Sequence, residues 1–178
     1  MITLLRTRRS IRQFTEQKVS QDIQNLLIEA MLRSQSSRNI RPWEFILVDD
    51  KKQLEYLSKA KQHGSDLIKG ASLVVVVIAD HTKSDVWVED ASIASIQLQL
   101  MADSLGLGSC WVQIRNRMAT EEVSSDQYVK DELEIPDNYS VESVIAIGYP
   151  EEALPPHSKD DLLFEKIKYG SFNTAYYE

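Results

Sequence analysis

An arginine cluster near the N-terminus has the clearest chemistry in the sequence. Arg8, Arg9 and Arg12 stand close together, and Ser10 adds a hydroxyl donor among them. Adjacent guanidinium groups repel one another and bind phosphate oxygens in pairs, so the cluster suits a dianion such as phosphate. Although the whole chain carries a formal charge of −7, residues 1–41 hold eight Lys or Arg against three Asp or Glu. The alternative is a solvated N-terminal turn whose arginines pair with carboxylates elsewhere.

Other kinds of chemical site find little support in the composition. Cys110 is the single cysteine, which excludes an internal disulfide and a cysteine-based metal cluster and fits a reducing cytoplasm. The three histidines lack metal-ligand spacing, and no Ser-His-Asp arrangement stands out. The longest apolar run, 73–79, is too short for a bilayer, and the N-terminus lacks the order of a signal peptide. We therefore expect a cytoplasmic protein that uses neither a metal nor a membrane.

Binding of nucleic acid, or of another anion without catalysis, is a second hypothesis for the basic N-terminal region. The net charge of the chain is negative, and no aromatic residues are interleaved with the arginines. Nucleic-acid sites usually show the opposite on both counts, so the pattern argues against nucleic acid as a partner.

The spacing of apolar residues predicts one α+β domain over residues 1–178. Helices are expected at 2–8, 20–33, 50–61, 87–105 and 120–133, and strands at 43–48, 73–79, 109–114 and 141–149. The second and third strands have the composition of inner strands, and the long helix should pack on a small central sheet. No Gly-x-Gly-x-x-Gly follows a strand, which argues against a Rossmann domain.

The segment from Pro150 onward differs from the rest of the chain. Prolines, charged residues and apolar residues mix there without helical or strand periodicity. An apolar segment with no core of its own must be covered, and the simplest cover is a second copy of the chain. Residues 150–178 are therefore expected to form an extended tail that embraces the partner of a homodimer.

Five motifs, taken in order, resemble the FMN-dependent nitroreductase family. They lie at 8–12, 36–45, 89–94, 105–111 and 145–150, so the resemblance covers nearly the whole chain. It implies a nitroreductase-like fold, with a mostly antiparallel central sheet flanked by helices. It also implies a homodimer whose two FMN molecules lie between the subunits. The FMN phosphate would then account for the arginine cluster, and the partner subunit would account for the apolar tail.

The resemblance assigns cofactor contacts to four groups of residues. Contacts to the FMN phosphate and ribityl chain fall to Arg8, Arg9, Ser10 and Arg12. The segment that reaches the flavin of the other subunit is Ser36, Ser37, Arg38 and Asn39. A strip along one flavin face, whose main-chain amides could donate to flavin N5, is Trp111, Val112, Gln113 and Ile114. The basic residues that return to the phosphate are His157 and Lys159. From the residues alone, a helix-ending turn explains the second group better than a ligand site does, and a plain core strand is the alternative for the third group.

Some positions depart from the family pattern. Arg41 stands where the family often has Gln, and it is assigned to the substrate cleft, where it could attract an anionic substrate or the phosphates of NAD(P)H. Pro42 biases Arg41 toward an extended backbone. The region around His63 does not match the family's mid-chain asparagine that contacts the flavin ring. Cys110 is expected to be a small core residue rather than a redox thiol.

The implied function is that of an FMN-dependent oxidoreductase. NADH or NADPH would reduce the flavin and leave, and a nitroaromatic or a quinone would then take the electrons from flavin N5. The same scaffold could alternatively serve reductive dehalogenation, flavin cleavage or oxidation of a heterocycle.

Overall fold

A four-stranded antiparallel sheet organises the computed structural model, which describes residues 1–177. The strands are β1 (Trp43–Val48), β2 (Leu73–Asp80), β3 (Gly108–Gln113) and β4 (Tyr139–Gly148). The α-helices of this part of the chain are α1 (Ile2–Thr7), α2 (Gln21–Leu32), α3 (Lys51–Leu57), α4 (Trp87–Ser104) and α5 (Ser125–Leu133). The strand order β1-β2-β4-β3 places β2 and β4 in the middle. The predicted α+β architecture is confirmed.

The sheet is covered on both faces, and its central strand β2 is apolar from Leu73 to Ala79. All eight residues of β2 are buried. Val75 and the residues of β2 at every second position from it lie on one face of the sheet and pack with residues of α2 and α4. Val76 and the residues at every second position from it lie on the other face and pack with residues of α3 and α5. A strand with two buried faces needs such a continuous apolar run. The core therefore lies in two layers, one on each side of the sheet.

The boundaries of α2 and α4 follow capping signals in the sequence. Ser20 Oγ accepts a hydrogen bond from the Ile23 amide at 3.4 Å and so begins α2. At the C-terminal end of α4, Gly106 adopts a φ of 77°, and the Leu107 amide donates to the Ala102 carbonyl at 2.9 Å. This Schellman arrangement ends the helix and turns the chain directly into β3.

Two helix boundaries differ from the predictions. α3 ends at Leu57 rather than near residue 61, because the buried Ser65 hydroxyl donates to the Ser58 carbonyl at 2.7 Å and draws the chain back. α5 begins at Ser125 rather than at residue 120. Thr120 Oγ1 accepts from the Val123 amide at 3.0 Å and closes a turn, after which Ser124 caps the helix.

The prediction that 109–114 is an inner strand is wrong. Within residues 1–177, β3 pairs along its length with β4 alone and forms one edge of the sheet. The segment 10–15 covers the beginning of this edge, where the Ile11 amide donates to the Ser109 carbonyl at 3.0 Å. Gly108 permits this approach, since a Cβ atom there would lie 2.7 Å from Ile11 Cβ. The rest of β3 keeps a free outer side.

The tail after β4 contributes little to the core. Residues 155–177 are exposed throughout, and their large apolar side chains include Leu162, Leu163, Phe164, Ile167, Phe172, Tyr176 and Tyr177. Ile2 and Leu5 of α1 are also half or more exposed. Exposed apolar residues in such number mark a surface that associates with another molecule. None of the helices in the described part of the chain is both long and apolar enough to cross a membrane.

Candidate functional site

The arginine cluster lies beside the edge of β3, and the guanidinium groups of Arg8, Arg9 and Arg12 have no ion-pair partner among the described residues. Arg12 Nη1 donates to the Ser10 carbonyl at 3.2 Å, and Arg9 donates to the Pro155 carbonyl, so both contacts use neutral acceptors. The alternative of arginines paired with distant carboxylates is not what the structure shows. The cluster suits an external anion.

Glu152 lies beside this cluster, although no motif in the sequence pointed to it. Its Oε1 atom accepts from the main-chain amide of Arg12 at 2.6 Å and from that of Gln13 at 3.3 Å. These two amides are thereby occupied. A phosphate at this place must be bound by the guanidinium groups and by Ser10, not by the amides of Arg12 and Gln13.

The strip on β3 presents two main-chain amides to the outside. The Ile114 amide donates to the Glu142 carbonyl at 3.3 Å, and because bonded pairs alternate in an antiparallel ladder, Val112 also points its main chain at β4. Trp111 and Gln113 therefore direct their amides away from the sheet. The side chains of Val112 and Ile114 are buried in the core at 1% and 0% exposure, so these residues offer a ligand no side chain.

The side chains of Trp111 and Gln113 are fixed by mutual contacts. Trp111 Nε1 donates to Gln113 Oε1 at 2.9 Å, and Gln113 Nε2 donates to the Arg115 carbonyl at 3.0 Å. A strip with locked side chains and outward amides can orient the polar edge of a planar ring. Cys110 is buried beside it, and burial raises the pKa of its thiol, which fits a core residue.

The segment from Ser36 to Arg41 has an unusual backbone. Arg38, Asn39 and Arg41 have φ angles of 52°, 55° and 52°, in the left-handed region that non-glycine residues seldom adopt. The expected extended conformation of Arg41 is therefore wrong. Its amide donates to Ser36 Oγ at 2.9 Å and its Nε to Asn39 Oδ1 at 2.9 Å, and these bonds hold the turn against the bias of the following proline.

Two acidic residues hold this segment to α4 and to the loop before it. Asp90, only 2% exposed, accepts from the Ser37 amide at 2.7 Å, and Asp85 pairs with Arg38. Sequence reasoning missed both residues, because the contacts join positions far apart in the chain. Strained backbone held by specific contacts is common at binding sites.

One copy of the chain does not bring the two groups of predicted contacts together. The segment 36–41 leads into β1, whereas the arginine cluster adjoins β3, and these strands are opposite edges of the sheet. Three strand spacings separate the edges by about 14 Å. The two groups therefore do not face a common point within one copy.

The remaining predicted residues lie outside these two groups. His157 and Lys159 are exposed in the tail, where His157 Nδ1 lies 3.8 Å from Asp161 Oδ2. Their assignment to a phosphate stays a prediction. Near His63, by contrast, Lys61 is close enough to β3 for Cys110 to affect the pKa of its ammonium group. No sequence signal singled out this lysine.

Comparison with known proteins identifies the class of protein that this fold and edge site define. The sequence pattern of the Nitroreductase family matches residues 5–64 and 59–149. A protein from Archaeoglobus fulgidus named "Putative NADH dehydrogenase/NAD(P)H nitroreductase" is 36% identical over 165 residues, which are 90% of this chain and 91% of that protein. The chain is an oxidoreductase of α+β fold. It belongs to the nitroreductase family.

Solved structures agree with this assignment. An FMN-dependent nitroreductase from Clostridium difficile R20291 superimposes with a TM-score of 0.95 at 44% identity, over 97% of this chain and 100% of that one. An NADPH:FMN oxidoreductase from Vibrio harveyi, complexed with NAD⁺, has a TM-score of 0.81 over 96% of this chain and 77% of that one. Its identity is 19%, so this second likeness shows the fold alone.

Proposed function

We propose that the chain is an NAD(P)H-dependent FMN oxidoreductase that reduces nitroaromatic or quinone-type acceptors in a ping-pong cycle. The observation that carries the proposal is the set of guanidinium groups beside the edge of β3 that form no ion pair with any described residue. A phosphate would neutralise the charge of Arg8 and Arg12, and the outward amides would donate hydrogen bonds to the polar edge of a flavin ring.

Each part of the edge has a separate task in this proposal. Arg8, Ser10 and Arg12 hold the phosphate, and Arg9 stays tied to the tail through Pro155. The amides of Trp111 and Gln113 fix the ring at its N5 edge. When bound, FMN would supply hydride acceptance from NAD(P)H and electron delivery to the acceptor. The protein contributes binding, orientation and exclusion of water.

The proposed active form is a homodimer, because each copy carries half of the contacts. Ser36, Ser37, Arg38 and Asn39 of one copy would meet the FMN held by the β3 edge of the other. The exposed apolar residues of α1 and of the tail offer the surface for such an association. Residues 1–178 would form the single domain, and its extended tail, 150–178, would lie across the partner.

Absorption spectroscopy tests the proposal directly. The purified protein, after incubation with FMN and gel filtration, should carry about one flavin per chain and elute as a dimer. Anaerobic addition of NADH or NADPH should bleach the flavin, and a quinone or nitroaromatic should restore the colour. Protein that retains no FMN, or whose bound flavin neither nicotinamide can reduce, would contradict the proposed function.

A further inference from the structure

A cavity of about 390 Å³ lies between the turn that follows α3 and the turn that follows β3. Its lining residues are Lys61, Gln62, His63, Asn116, Arg117 and Met118. The Gln62 amide donates to the Met118 carbonyl at 3.1 Å and joins the two turns. The Arg117 amide donates to the Ile114 carbonyl at 3.1 Å, which ties this wall of the cavity to the end of β3. The cavity is thus held by main-chain bonds on both sides.

The charge of this cavity is entirely basic. Lys61 and Arg117 line it, no Asp or Glu is among its lining residues, and neither cation forms an ion pair with any residue described. Burial lowers the pKa of Lys61, and the nearby charge of Arg117 lowers it further. Two cations without a counter-ion suit an anionic ligand.

The position of the cavity separates this anion from the FMN phosphate. The arginine cluster adjoins Ser109, whereas Arg117 lies beyond Ile114 at the other end of the strip. Five residues of extended chain span about 17 Å. One phosphate cannot contact both the arginine cluster and Arg117, and FMN carries a single phosphate. With that phosphate at the arginine cluster, a phosphate at Lys61 and Arg117 would come from a different ligand.

We propose that Lys61 and Arg117 bind the phosphate groups of the nicotinamide donor. Quinones and most nitroaromatics carry no phosphate, whereas NADH carries a pyrophosphate and NADPH an additional phosphate. Of the two substrates that alternate at such a site, the donor is therefore the one that matches two cations without an acidic partner. This inference rests on the proposed function, and it places the donor's phosphates near the C-terminal end of β3.

Equilibrium titration of the oxidised, FMN-loaded protein with NAD⁺ and with NADP⁺ measures donor binding without turnover. Lys61→Ala and Arg117→Ala should each raise the dissociation constant about tenfold, as expected for the loss of one charge-assisted contact. The limiting rate of flavin reduction in stopped-flow experiments should stay within about twofold. Arg117 is exposed, so its removal leaves the fold intact. Lys52→Ala, an equal charge change at an exposed position on α3, should have no effect.

Three outcomes would overturn the inference. In the first, the variants bind NAD⁺ and NADP⁺ as the wild-type protein does. In the second, Arg41→Ala weakens donor binding and the two cavity variants do not, which assigns the phosphates to the substrate-cleft arginine. In the third, the cavity variants lose FMN instead of the donor, measured by flavin fluorescence. A wild-type flavin that no nicotinamide reduces would instead reject the proposed function, and the titration with NAD⁺ would still report on the cavity.

Discussion

Replacement of Gly108 by Ala tests whether the contact between β3 and the N-terminal segment positions the arginine cluster. A Cβ atom at this glycine would lie 2.7 Å from Ile11 Cβ and 2.8 Å from both its Cγ1 and Cγ2 atoms. These distances are shorter than normal contacts, and all three atoms sit at or next to the backbone of a buried residue. The segment that carries Arg9 and Arg12 must therefore move away from the strand.

The cost of this movement has two parts. Overpacking of a core position destabilises proteins by about 1–3 kcal/mol. Loss of the bond between the Ile11 amide and the Ser109 carbonyl adds about 1 kcal/mol. The free energy of unfolding of Gly108→Ala should thus fall by about 2–4 kcal/mol. Since the guanidinium groups move with the segment, affinity for FMN should fall as well.

The matched control is Gly70→Ala. Nothing lies within 4 Å of the Cβ position at Gly70, and this residue is exposed. The alanine there should leave stability unchanged or raise it by about 0.4–1 kcal/mol, through the entropy of the unfolded chain. Urea unfolding gives the free energies, and fluorescence titration gives the FMN affinities. Equal unfolding midpoints and equal FMN affinities for the two variants would refute the reasoning.

Three further changes have defined outcomes. Arg12→Ala should weaken FMN binding at least about tenfold in fluorescence titration, because one phosphate contact is lost, and unchanged flavin occupancy would reject that role. Asp90→Ala should lower the free energy of unfolding by about 1–3 kcal/mol, because the Ser37 amide loses its acceptor, whereas Asp90→Asn keeps an acceptor and should lose less in the same urea experiment. Burial raises the pKa of Glu142 above its ordinary 4.5. The folded state therefore holds this proton longer than the unfolded state, so its contribution to stability is full below pH 4.5 and falls as pH rises through the raised pKa. Glu142→Gln should remove that fall, and parallel stability curves for the two proteins above pH 4.5 would contradict it.

The elements of the fold were predictable wherever apolar periodicity and capping residues agreed. β1, β2 and α4 lie within one residue of their predicted bounds because each has an unbroken pattern and a clear end signal. The ends of α3 and the start of α5 depend on Ser65 and Thr120, whose hydroxyl groups form local turns that periodicity does not report. Sequence patterns locate elements better than they locate turns.

The edge position of β3 illustrates a different limit. Most of its residues are buried as in an inner strand, because Val112 and the following Ile114 fill the core and the segment 10–15 covers the first part of its outer side. The composition of a strand indicates that it is buried. It does not indicate whether a neighbouring strand or another segment of the chain covers it. The contacts of Asp90 with Ser37 and of Glu152 with Arg12 were equally out of reach, since they join distant parts of the chain.

Helix α4 sets the separation between the two halves of the site. Near its first turn, Asp90 holds the strained segment that precedes β1, and at its end the Gly106 turn delivers the chain into β3. Eighteen residues of helix span about 27 Å, and α4 is packed along this length by fully buried residues such as Ala94 and Leu98. A helix so packed cannot bend to bring the halves together within one chain. In the proposed homodimer, a second copy, rather than a conformational change, completes the site.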